Sequence, residues 1–424
     1  MKSLKQFRRV RPVILAATVA TLLTGVSARA GDFTMTILTG DADSGINAGL
    51  TYTSKADFDH AAGDRVVNGV AFTDGGMIGT NYVLTLATPG TAASPSNVTG
   101  GVGGLVTDFN HGTGSPTASL TLSGLTVGTQ YVTTWYNQTW GDNQSTGRMV
   151  DITPSDTGVP FRINQDSTRN DDGTVLRYAF TATATSITYD FNAVNLAAFH
   201  HYAMTNAERN DALFSYTHFT PLVPTTTVIS GQDAPFTVSN NDLLQTSLAS
   251  VSSIGDFNRE PVLGDLSVLY NGAFAIGTGG NRPELVTGEN NATITFTLDT
   301  SVNTLGYDVT SVAGYGGWGD GGRDNQIYSI FFSQVGSPDF IYLGGVNDRP
   351  GAPGAPSAIS AVFENVGLTG VDAIRIDFLD GQDNGFAGYG EFDVIGTATI
   401  PEPGTAVSLL GGLGLLLGLR RGRR

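Results

Sequence analysis

The sequence predicts an all-β protein: two antiparallel β-sandwich (jelly-roll) domains in tandem, preceded by an N-terminal signal peptide and followed by a C-terminal hydrophobic helix. Three features lead there. Apolar and polar residues alternate with period two through the body, and no long stretch keeps a helical period. The 424 residues include 56 glycines and are only 14% charged, a composition of short strands joined by many turns. Two prolines in the polar stretch from Thr220 to Thr227 mark 221–228 as a linker between halves 31–220 and 229–398, each long enough for its own core.

At the N-terminus, Lys2, Lys5, Arg8, Arg9 and Arg11 precede an apolar run from Pro12 to Val26, and Ala28-Arg29-Ala30 forms a small-x-small cleavage site before Gly31. Residues 1–30 therefore read as a secretory signal. In the first half, strands are predicted at 34–38, 82–86, 120–125, 130–136, 176–180 and 186–191, with turn residues around Gly128 separating the third from the fourth. In the second half, 292–298, 304–309, 326–332, 357–363, 373–378 and 391–395 alternate or carry β-formers. One local pattern occurs twice: Trp140-Gly-Asp leading to Arg148, and Trp318-Gly-Asp leading to Arg323, each read as a loop between strands.

The whole chain carries a formal net charge of −16, and its ends hide more. Six basic residues lie in 1–30 and four in 404–424, with no acid in either, so the body keeps twelve basic residues against 38 acids, a net −26. Lys55 is its single lysine. Such a surface disfavours nucleic acid and anionic lipid, which need basic groups to neutralise phosphates; cations and neutral sugars are easier partners. The chain has no cysteine, which excludes thiol catalysis and cysteine-ligated zinc and leaves stability to the core.

The C-terminus orders Pro401-Glu402-Pro403, an apolar run from Gly404 to Leu419, and Arg420, Arg421, Arg423 and Arg424. As a helix the run would span about 24 Å of a bilayer core of about 30 Å, and arginines immediately after it stay on the cytoplasmic side. This arrangement over 400–424 resembles the PEP-CTERM sorting signal of exopolysaccharide-producing Gram-negative bacteria. The resemblance implies an exosortase and the secretion machinery as partners, membrane contact through the helix before processing, and a final place at the cell envelope, cell surface or extracellular matrix.

No nucleophile elbow, zinc-protease helix or phosphate loop occurs, and none of the five histidines sits in a hydrolase signature, so no catalysis is expected. His200-His201 would point to opposite strand faces and reads as packing. Sugar recognition stacks an aromatic ring on a pyranose while polar groups bond its hydroxyls. Tyr315, Trp318, Asp320, Arg323 and Asp324 bring those chemistries to one glycine-rich stretch, and Asn384, Phe386 and Tyr389 to a second. For Trp318 a ring folded inward, its glycines making room, is the favoured of the two readings.

The blocks Thr293–Leu298, Gly317–Ser333, Val371–Phe378 and Gly388–Gly396, in that order, resemble the core strands of a discoidin-type, galactose-binding-like domain. The first half, through Asn68–Phe72 and Leu120–Tyr136, is loosely similar to the same superfamily or to malectin-like modules. The resemblance implies an eight-stranded jelly roll with sugar-binding loops at one end and a structural calcium, with Glu391 as its final-strand carboxylate and Asp265 and Asn271 in the early loop. The function expected is an exported protein that binds polysaccharide without catalysis. A structural matrix or surface-layer component acting by protein contacts is the alternative, and a glycoside hydrolase accessory with a hidden carboxylate pair the third reading.

Overall fold

The computed structural model of the chain describes residues 32–58, 65–72, 74–114, 116–140, 147–194, 198–214, 217–260, 263–350 and 355–400. The signal peptide, the sorting motif Pro401, Glu402 and Pro403, and the C-terminal hydrophobic helix fall outside the described residues. Among the described residues no helix is long and apolar enough to cross a membrane. The fold is all-β, as the alternation predicts, and its described strands pair antiparallel except for the short parallel pair of Tyr52–Asp57 with Asp74–Gly75.

Strand Tyr82–Leu86 shows how the first half is built. Its side chains alternate buried and exposed, so Tyr82, Leu84 and Leu86 face inward while Val83 and Thr85 face out. It lies between Ile78–Gly79 and Thr117–Ser123 in a six-stranded sheet that continues from Thr117–Ser123 to Ser186–Ala193, from there to Met149–Pro154 and last to Phe161–Asn164. The facing layer runs Asp32–Leu38, Gly173–Thr181, Gln130–Gln138, Ala203–Glu208, Tyr52–Asp57. Leu84, Leu120, Ile152 and Tyr189 from one layer and Phe33, Trp135, Leu176 and Met204 from the other form one buried core. Each such side chain contributes about 1.5–3 kcal/mol by leaving water.

The second half is organised by one strand, Ser357–Phe378, of 22 residues. The sequence predicts two separate strands there. The structure joins them, and positive φ at Asn365, Gly367 and Gly370 marks where the chain passes from one pairing set to the next. Residues 357–362 pair with Thr225–Ser230 and with the end of Tyr307–Trp318, whereas 371–378 pair with Gln326–Gln334 and Thr293–Leu298. Phe296, Ile330, Ile374 and Ile376 meet Val309, Val312, Phe392 and Val394 in the core between. Residues 225–228, within the stretch read as a linker, open the strand Thr225–Ser230.

The two halves share a seam. Strand Ser337–Asp348 lies between Gln326–Gln334 and Asp32–Leu38, meeting the latter at Thr36 and Ile341, so one sheet runs on from half to half. Phe331 and Tyr342 of the second half bury themselves in the first half's core. Polar contacts follow: Arg375 to Asp172 at 3.5 Å, and Asn170 N donating to Asn291 Oδ1 at 2.9 Å.

Candidate functional site

The glycine-rich stretch before Trp318 is not a loop but the end of strand Tyr307–Trp318. Its glycines serve close packing. Gly317 sits at φ 141°, and a Cβ there would lie 2.1 Å from the Ser357 carbonyl oxygen. A Cβ on Gly388 would lie 2.6 Å from the Trp318 ring, so the indole folds inward over Gly388 and is only 3% exposed. Arg282 and Arg323 stand over that ring at 4.3 and 5.1 Å. Arg323 is itself buried and pairs with Glu260 and, at 3.2 Å, with Asp383; Arg282 reaches Asp320 at 3.2 Å.

The residues expected to hold a sugar are therefore divided. Asp320 and Asn384 face solvent, the latter at φ 57°. Trp318, Arg323 and Asp324 are interior, burial pushing the Asp324 carboxyl up. Tyr389 and Phe386 are buried too, the Tyr389 ring lying 4.3 Å from that of Phe378, and Tyr315 packs against Phe236 and Phe274. Neither Trp318 nor Tyr389 offers an open ring face, so no aromatic platform stands there: Gly388 under Trp318 and Gly288 beside Tyr389 give the rings room to turn in.

A different group of side chains converges nearby. The last strand, Phe386–Ala398, sets Glu391 and Asp393 two residues apart and so on one face. Opposite them stands Asp242, which caps the one-turn helix Leu243–Thr246: its Oδ1 accepts from Leu244 N at 2.8 Å, and Gln245 Oε1 accepts from Asp242 N at 2.9 Å. Leu243 and Leu244 pack into the core, and their burial carries the capping carboxylate inside. Asp242, Glu391 and Asp393 are 4%, 0% and 4% exposed, and each offers a carboxylate oxygen within 4.8 Å of the others.

Hydrogen bonds hold the cluster without neutralising it. Glu391 accepts from Asn271 N at 3.0 Å, Gly272 N at 3.1 Å and Gln245 Nε2 at 3.1 Å, while Asp393 Oδ2 accepts from Ser239 N at 2.9 Å. Asp242 Oδ2 and Asp393 Oδ1 have no hydrogen bond of ordinary geometry. Among the described residues no arginine or lysine pairs with any of the three. Burial, and then the charge of Asp393, pushes Glu391 up to about 9 against the pull of the Asn271 and Gly272 amides. Burial, with Asp242 adding to it, pushes Asp393 up to about 6, and burial raises Asp242 as well. Tyr315 borders the same group, its hydroxyl raised by burial and by Asp393.

Three carboxylates with two unmet oxygens are the donor chemistry a hard cation such as calcium takes. The cluster keeps Glu391 and replaces its expected companions. Asp265 is exposed and caps the 3₁₀ helix Leu266–Tyr270, its Oδ1 accepting from Ser267 N at 2.8 Å. Asn271 spends its side chain on Ala273 N and Glu284, at 2.8 and 3.0 Å, and its own amide on Glu391. The sequence named neither Asp242 nor Asp393. Asp393 had a signal in its i+2 spacing from Glu391; Asp242 showed only the local signature of a helix cap.

Neither a known protein family nor a curated protein matches the chain. Among solved structures, the paired CBM32 domains of ZmpB from Clostridium perfringens align over 73% of this chain and 92% of theirs, at 9% identity and a TM-score of 0.28. A pectin-binding carbohydrate-binding module aligns over 36% and 94%, at 13% identity and 0.25. The extracellular domain of ANXUR2 from Arabidopsis thaliana aligns over 78% and 96%, at 9% identity and 0.28. Likeness this slight leaves the site to be read from its own geometry.

Proposed function

We propose that this chain is an exported, non-catalytic protein of the cell surface or extracellular matrix that binds polysaccharide, with its second half locked by a calcium ion. The buried cluster of Asp242, Glu391 and Asp393, which has no basic partner among the described residues, carries the calcium part of the reading. Those three residues would hold the ion, whose charge would offset their mutual repulsion and tie the Leu243–Thr246 helix to the last strand. Export and exosortase processing rest on the two terminal sequence patterns, polysaccharide on the resemblance of the second half and on an acidic surface that suits neutral sugars.

The cluster also bears on the hydrolase reading. Raised carboxyl pKa values are what a general acid needs, but a glycosidic bond must reach between the two acids. Here all three are buried, which closes them to a polymer. The test is metal analysis with thermal melting: one calcium per chain and a melting temperature lowered by chelator support the reading. A chain that melts identically with calcium and with chelator refutes the lock. Secretion of the chain with and without residues 401–424, in a host carrying an exosortase, tests the sorting.

A further inference from the structure

Three of the five histidines gather in the first half, where the calcium reading does not use them. The backbone of His200 is fixed from both sides: its N donates to Gln165 Oε1 at 2.9 Å, and Gln165 Nε2 donates to its carbonyl at 2.7 Å. Its ring lies flat on Phe109, centroids 3.8 Å apart. Trp140 stands perpendicular to both rings, 5.5 Å from His200 and 5.0 Å from Phe109, and the His111 ring lies 5.7 Å from each of the same two. Trp140 N donates to Asp166 Oδ1 at 3.1 Å, and Asp166 in turn accepts both contacts of Arg148 at 2.8 and 3.0 Å. These rings are thus held in place before any ligand arrives.

Unlike Trp318, Trp140 is only partly buried, and so is His111. His200 is 6% exposed, and its Nδ1 has no hydrogen bond. That unmet group carries a desolvation cost that a phenylalanine in its place would not. Burial first, then the neighbouring Arg148 charge, holds both His111 and His200 below the ordinary imidazole range. A neutral imidazole has one donor and one acceptor, which is what a sugar hydroxyl matches. The same Arg148 charge disfavours a metal ion between the rings. His201 differs: Phe58, Phe191 and Phe199 surround its ring, and it serves packing.

We propose that Trp140, His111 and His200 form a subsite for a neutral pyranose unit of a glycan, the indole stacking on the sugar's C–H face and the imidazoles bonding its hydroxyls. This rests on the polysaccharide reading and moves the stacking surface from Trp318 to the first half. The full chain is assayed on an array of neutral and acidic oligosaccharides, beside His200→Phe, Trp140→Ala and Asn384→Gly. Neutral glycans bind the parent, Trp140→Ala and His200→Phe weaken them about tenfold or more, and Asn384→Gly leaves them unchanged. His200→Phe keeps the ring stack and removes the unmet nitrogen, so a melting temperature at or above the parent's separates lost binding from lost folding. Affinity kept in His200→Phe but lost in Asn384→Gly overturns the subsite and leaves the polysaccharide reading standing. No glycan bound by the parent overturns that reading, and the subsite with it.

Discussion

Buried acids in this protein come in two kinds. Asp166 and Asp377 are both fully buried, and each meets an arginine: Arg148 at 2.8 Å and Arg375 at 2.7 Å. Burial raises both carboxyls while the arginine pulls each back down. Asp242, Glu391 and Asp393 are buried too, but among the described residues they meet amide groups and each other and no arginine or lysine. A low-dielectric interior does not tolerate three adjacent unpaired charges, so the second kind must take up protons or a cation. One kind of site carries its counter-charge within the chain; the other leaves a place for one from outside.

That contrast can be broken at its paired end first. Arg148→Met strands Asp166 in the core and is expected to cost about 3–5 kcal/mol in urea unfolding, calcium present or not. A loss well under that would mean Asp166 is neutral in the native chain. Next comes pH. Glu391 holds a proton in the folded chain that the unfolded chain has lost, since its folded value of about 9 lies above the free value of 4.5. Without metal, stability is therefore greatest in mild acid and falls as pH rises from about 4.5 towards 9, by a few kcal/mol. Added calcium flattens that decline, and melting curves at stepped pH with and without chelator read it directly; a metal-free chain that gains stability over the same window contradicts the assignment.

Glu391→Gln sharpens the comparison from the unpaired side. At pH 8 without metal it spares the folding chain the proton that Glu391 must take up, so it gains about 1–3 kcal/mol over the parent and loses most of the calcium response. An undiminished calcium response would place the ion elsewhere. The smallest effect belongs to Asp320→Asn. Its side chain is 65% exposed and its partner is Arg282, so breaking that pair should shift stability by no more than about 1 kcal/mol.

How far the sequence could be read depended on whether a residue's signal was local. Strand 82–86 was legible to the residue, because strict alternation with Tyr82, Leu84 and Leu86 on one side has no other reading. Of the residues read as one glycine-rich loop, Tyr315 and Trp318 end a strand while Asp320, Arg323 and Asp324 follow it outside any strand, because a glycine that makes room for a ring looks in sequence like a glycine that makes a turn. Glu391 was named and its position on the last strand is as expected, yet its partner Asp242 lies 149 positions away. No spacing rule spans that distance; only the packing of Leu243 and Leu244 onto the core brings it there.

The seam at Thr36 and Ile341 ties the oldest part of the chain to some of the youngest. Strand Asp32–Leu38 leaves the ribosome early but gains its second neighbour only after some three hundred more residues have followed. Phe331 and Tyr342 fill the leading half's interior from the trailing half. A polypeptide wired in this way completes its leading half only once the trailing half is present, and a truncation placed between its halves would release two incomplete pieces instead of two working modules.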